Sequence, residues 1–140
     1  MSSPIETILA RMKTIAIIGP SKDPSKYSHE VAEYLRGKGF EVIPINPTAD
    51  EIMGLKSYPS LSAIPDKVKR RIDVVDIFRR PEDVPSIVDE AILLKKLVDR
   101  PLAVWMQQGI INEEAAEKAE AAGLEVVMDE CIRIEHRRRS

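Results

Sequence analysis

The stretch KTIAIIGPSKDPSKYSHEVAEYLRGKG, residues 13–39, joins an apolar run to a loop of Gly, Pro, Ser and Lys and then to an amphipathic helical pattern. Thr14–Ile18 is a short β-branched run ending at Gly19, which is how a buried strand reads. Ser28 is placed to cap a helix carrying Val31, Tyr34 and Leu35 on one face, and Gly39 is placed to end it. A strand that feeds a helix through such a loop turns unpaired backbone N–H groups and the positive end of the helix dipole toward a crevice. The expected occupant is anionic, so a nucleotide or phosphate site is the first expectation.

The loop argues against two common nucleotide motifs. GxGxxG asks for two further glycines after Gly19, where Pro20, Ser21, Lys22 and Asp23 stand, and Walker A fails as well. Dinucleotide folds tend to end the second strand on an acid that binds a ribose hydroxyl, but here residues 41–45 run into Asn46 and Pro47. A neutral amide at that place tolerates a phosphorylated ribose better.

Further along, strand and helix patterns alternate. Ser3, Pro4 and Glu6 form a capping box with proline at the first helical position, and Ile5, Ile8, Leu9 and Met12 share one face of a lid-like leading helix. Residues 73–78 (DVVDIF) read as a third strand, followed by Arg79, Arg80 and Pro81 and a helix over 83–97. Residues 102–106 and 124–128 read as a fourth and a fifth strand, with a turn at Gln107, Gln108 and Gly109 and a helix from Asn112 to its stop at Gly123 between them. Residues 47–69 hold Gly54, Pro59 and Pro65 without clear periodicity, which predicts an irregular crossover with one short helical turn. The alternation implies an α/β fold, a doubly wound sheet of about five parallel strands with helices on both faces. Ligands in such folds sit outside the carboxyl ends of the strands, so the strand ends converge on one rim.

Composition sets limits on partners and setting. A chain of 140 residues suits a single domain, 1–140, around one core. A net charge of −2 with acids and bases interspersed gives no support for nucleic-acid binding, and Arg137, Arg138 and Arg139 read as a solvated tail. The lone Cys131 leaves no intrachain disulfide or CxxC knuckle and suits a reducing compartment, while His29 and His136 lack a second ligand at metal spacing. No run is long and apolar enough for a membrane, so the expectation is a cytoplasmic protein.

The motifs IAIIGPSKDPSKYSHEVAEYLRGKGFEVIPINP, VVDIFRRPEDVP and VWMQQGIINEEA, followed by Cys131 and Ile132, occur in this order. Together they resemble the small stand-alone CoA-binding proteins, whose domain is similar to the CoA-binding half of the succinyl-CoA synthetase α subunit. The resemblance runs from about Lys13 to Glu135. It implies a Rossmann-like domain with coenzyme A or an acyl-CoA as ligand. By the same resemblance Gly19, Pro20 and Ser21 line the phosphates, and Lys26 and Ser28 meet them at the helix start. Asn46 and Pro47 match the motif that holds the nucleotide portion. Phe78, Arg79, Arg80 and Pro81 match a loop flanking adenine and the phosphorylated ribose, and Gln108, Gly109 and Ile110 match the next turn. Two positions depart from the family pattern: Pro20 replaces a small residue and removes an N–H donor, and Lys26 replaces an arginine and loses bidentate geometry.

Bland roles stand beside these. Phe78 serves core packing equally well, Trp105 reads as core, and Arg79 and Arg80 also suit a solvated pair. The adjacent acids Asp129 and Glu130 have no acid–base geometry of their own, and no triad is visible. The leading expectation is therefore a protein that holds CoA noncovalently at the strand rim without a catalytic centre. The alternatives are a CoA-dependent acyl or thiol-exchange enzyme using Cys131, and an NAD or other nucleotide-binding redox module.

Overall fold

The fold was described from a computed structural model covering residues 4–19 and 26–139. Five strands form one sheet: β1 (Thr14–Ile18), β2 (Glu41–Ile45), β5 (Val74–Ile77), β6 (Ala103–Met106) and β7 (Glu125–Val127). Their spatial order is β2-β1-β5-β6-β7 and every pairing is parallel. Counting only these five, the order is 2-1-3-4-5, with the reversal of strand order between β1 and β5. Ile18 lies beside Ile45 on one flank and Ile77 on the other, so β1, β2 and β5 end level at the carboxyl rim.

Helices cover both faces. α1 (Pro4–Arg11), α2 (Tyr27–Gly37) and α6 (Ile132–Arg139) pack on one, against a core of Ile15, Ile17, Val74, Trp105 and Val127. α4 (Val84–Val98) and α5 (Glu113–Ala121) pack on the other, against Ala16, Val75, Ile77 and Val104. Strands of this kind are buried on both sides, which is why they read as unbroken apolar runs. Asp76, fully buried, interrupts the run in the middle of β5.

Several sequence expectations are corrected. The leading helix is no lid: Ile8 is fully buried and Met12 nearly so, within the apolar core that the sheet shares with α2 and α6. Ser3 of the expected capping box lies outside the described residues. Arg137, Arg138 and Arg139 do not form a loose tail but end α6, where Arg138 and Arg139 both pair with the buried carboxylate of Glu135 at 2.9 and 3.0 Å. His136 on the same helix fixes α6 to α2, with Nδ1 2.7 Å from Tyr34 Oη and its ring edge-on to Phe40.

The crossover over residues 47–69 does contain one short helix, α3 (Asp66–Lys69). It also contains an unexpected hairpin, β3 (Glu51–Ile52) and β4 (Leu55–Lys56), closed by Met53 and Gly54, both at positive φ. Two positive φ angles in sequence define the hairpin turn whose usual signal is Asn-Gly, and Met conceals it. Beyond the hairpin, the Tyr58 N–H donates to Pro44 O at 3.1 Å and Tyr58 O accepts from the Asn46 N–H at 2.9 Å. This single bridge lies along the outer edge of β2.

The helix ends at Gly39 and Gly123 are as expected. Phe40 N–H donates to Leu35 O and Gly39 N–H to Arg36 O, and the same pair of bonds recurs from Leu124 to Ala119 and from Gly123 to Glu120. Both glycines have positive φ, which this termination requires.

Candidate functional site

The rim above the β1/β5 junction is built on Gly19. Its N–H donates to Ile45 O at 2.9 Å, and the Phe78 N–H donates to Ile18 O at 2.8 Å, drawing the two strand ends together. A Cβ on Gly19 would stand 2.5 Å from Phe78 O, and the residue also sits at φ +89°. Only glycine satisfies both demands.

Over this junction opens a cavity of about 670 Å³, a size that suits a cofactor. From β1 and α2 it receives Gly19, Lys26 and Ser28; from the loop after β5, Phe78, Arg79, Arg80 and Pro81; from the turn after β6, Gln108 and Ile110. Nine of the expected site residues thus share one wall. Pro47 lines a smaller neighbouring cavity of about 170 Å³ with Ile45, Pro59, Leu61 and Ile87. Gly19, Arg79 and Asp83 border both, so the two spaces adjoin across the junction.

Two expected residues line neither cavity. Asn46 uses Oδ1 to accept from Thr48 N–H and Oγ1, both at 2.8 Å, which makes it the hinge of a local turn. Gly109 N–H donates to Asp129 Oδ1 at 2.7 Å. Pro20 and Ser21 lie outside the described residues.

The start of α2 also differs from expectation. Lys26, in extended backbone at φ −82° and ψ 142°, occupies the N-cap position, and its own side chain makes no capping bond. Ser28 therefore stands in the first turn rather than at the cap. Tyr27 is drawn into the helix by tertiary contacts: its ring meets Phe78 edge-on at 6.4 Å, and its Oη lies 2.5 Å from Cys131 Sγ. By contrast Asn112 caps α5 as expected, with its side chain accepting from the Ala115 N–H.

At the mouth Arg79 and Arg80 are paired with acids. Asp83 Oδ2 lies 3.5 Å from Arg79 Nη2 and 3.4 Å from Arg80 Nε, and Glu82 lies 3.3 Å from Arg80. These acids hold the guanidinium groups at the rim, exposed enough to exchange partners with an incoming phosphate. Sequence reasoning missed Asp83 and Tyr27. Both adjoin expected site residues, but neither type signals an anion site.

Below the rim the polar residues become buried. Burial, and then the hydrogen bond to Cys131, push the Tyr27 phenol up to about 12. Desolvation, with Cys131 as a second cause, raises the Asp76 carboxyl well above the usual carboxylate range. Trp105 is core, as one reading had it, and its Nε1–H also donates to Glu130 O at 2.8 Å, beside Cys131.

Residues 13–137 match the family described as CoA binding domain. The chain is 40% identical over 132 residues to the Bacillus subtilis protein named Uncharacterized protein YneT, covering 94% of this chain and 91% of that one. It is 30% identical over 127 residues to acetate–CoA ligase (ADP-forming) I of Archaeoglobus fulgidus, covering 86% of this chain but only 18% of the ligase. Among solved structures, a hypothetical protein from Pyrococcus horikoshii superposes with a TM-score of 0.85 at 37% identity, covering 98% of this chain and 92% of that one. With the family pattern running through nearly every element that builds the rim, the chain belongs to the CoA binding domain family.

Proposed function

We propose that this protein binds coenzyme A reversibly and noncovalently at the β1/β5 rim. The observation that carries the reading is the cavity lining, which the start of α2 at Lys26, Tyr27 and Ser28 shares with Arg79 and Arg80. A helix start of that kind accepts a diphosphate through backbone N–H groups and the helix dipole. Arg79 and Arg80 supply charge-assisted donors for the ribose phosphate. The smaller cavity, walled by Pro47, Pro59 and Leu61, offers apolar surface to the base. The pantetheine arm then extends through the larger cavity past Ile110 toward Tyr27.

Calorimetric titration with CoA, dephospho-CoA and NADH tests this. A charge-assisted contact to the extra phosphate contributes about 1.5 to 3 kcal/mol, so CoA should bind roughly 10- to 150-fold tighter than dephospho-CoA. NADH should bind more weakly still, because the glycine fingerprint is missing. Equal affinity for CoA and dephospho-CoA would remove the role given to the arginines, and absence of CoA binding would remove the reading.

A further inference from the structure

Under the floor of the large cavity lies a polar cluster that phosphate binding does not use. Cys131 is 3% exposed, and its backbone oxygen accepts from the Glu135 N–H at 3.0 Å, so it caps the start of α6. Gln107 Oε1 accepts from the next N–H, that of Ile132, at 3.1 Å. Gln107 itself is 2% exposed and lines the cavity, and its Nε2 has no hydrogen-bond partner among the described residues. Asp76, fully buried on the same face of the sheet, has neither carboxyl oxygen partnered among those residues.

Core packing explains neither the Gln107 amide nor the Asp76 carboxyl. An unpaired amide or carboxyl inside a protein is costly, and an apolar residue would fill either place without that penalty. The Cys131 thiol interacts with Asp76, and Gln107 holds the N–H of the next residue; between the thiol and the cavity stands Tyr27, whose Oη touches Sγ. The Tyr27 ring lines the cavity, is 39% exposed, and carries the Arg133 guanidinium 5.1 Å from its centroid. A rotation of Tyr27 that gives up its contacts with Cys131 and Phe78 would open the path.

We propose that Cys131 captures the disulfide form of the ligand, joining CoA to the protein through a mixed disulfide. The inference rests on the CoA reading of the cavity. The Cys131 thiolate attacks one sulfur of a CoA disulfide; a new S–S bond forms, the old one breaks, and the departing thiolate takes up the proton that Cys131 released. The Cys131 sulfur is oxidised, the departing sulfur is reduced, and the ligand's own disulfide is the oxidant. Burial raises the Asp76 carboxyl well above the usual carboxylate range, which disfavours an opposing charge beside the thiolate.

The test uses the reduced full chain, incubated separately with CoA disulfide and glutathione disulfide and followed by intact-mass spectrometry. The expected result is one CoA adduct, formed at least tenfold faster than the glutathione adduct and slowed by desulfo-CoA, which fills the site but has no thiol. Cys131→Ser should give no adduct and still fold, since serine is a favoured N-cap. Tyr27→Ala should speed both reactions and narrow the preference between them. No adduct, equal rates with the two disulfides, or indifference to desulfo-CoA overturns the proposal. Calorimetry with CoA on the Cys131→Ser variant separates the failures: CoA binding retained while the wild type forms no adduct sinks this inference alone, whereas no CoA binding by either protein sinks the underlying reading.

Discussion

Two residues show how a single position shapes this rim. Gly19 combines a positive φ with a carbonyl 2.5 Å from where a Cβ would stand, and that carbonyl is backbone, with no flexible end to give way. Gly19→Ala should therefore destabilise by roughly 1 to 3 kcal/mol and also weaken CoA binding, because relief of the clash must part β1 from the Phe78 loop. Chemical denaturation together with calorimetry checks both effects; wild-type stability in the variant would contradict the geometry. Asp76 acts through protonation. Its folded carboxyl titrates above the unfolded one, so the native state binds the extra proton. Stability should then fall as pH rises from about 4 toward the folded value, by up to about 1.4 kcal/mol per pH unit. Asp76→Asn cannot ionise and should lose that slope, its advantage over wild type growing from pH 5 to pH 8 in denaturant melts. Parallel curves for the two proteins would show that Asp76 ionises freely.

At the scale of elements, apolar runs and glycine stops were readable because burial on both faces and αL termination each demand particular residue types. Thr14–Ile18, Gly39, Asn112 and Gly123 all behave as their types require. The start of α2 was misread because Ser28 suits a cap in isolation, while contacts of Tyr27 with Phe78 and Cys131, distant in the chain, carry the helix back to Lys26. The β3–β4 hairpin was hidden by a Met at a positive φ. α6 was hidden by three arginines, whose role depends on a buried Glu135 that only the fold supplies. Nine of the expected residues were legible as the lining of one cavity because strand ends converge. Asn46, placed there by its strand-end position and by the family motif, lines neither cavity and has Oδ1 engaged in its own turn. α6 carries its own pH dependence. Burial, and then the Lys38 charge, hold the His136 imidazole below its usual range, so its neutral form belongs to the folded state. That contribution is complete above the unfolded value near 6.5 and is lost as pH falls through the lower folded value. Amide exchange along residues 132–139 should accelerate between pH 7 and pH 5 once corrected for intrinsic rates, and His136→Asn should remove the added acceleration. An identical pH response in the variant would clear His136 of this role.

For the whole molecule, the order 2-1-3-4-5 sets the place of the site, because chain reversal beside β1 leaves a crevice that both flanking loops enter. A ligand held there touches both halves of the sheet, so CoA at 100 times its dissociation constant should stabilise the fold by about 2.7 kcal/mol and raise the melting temperature accordingly. Lys26, exposed at the mouth, acts through its field. Lys26→Ala should weaken CoA binding at low salt and flatten its salt dependence, with little effect on melting. Titrations from 20 mM to about 300 mM salt measure this, and matching salt slopes would assign Lys26 to solvent. The bridge from Tyr58 has a consequence of another kind. An open sheet offers its border strands as templates on which a neighbouring copy can extend the ladder into a fibril. On the β2 border, Pro44 presents no donor, its carbonyl is occupied by Tyr58, and Asn46 is engaged one step further along. At that stretch the border is a poor template for a further strand.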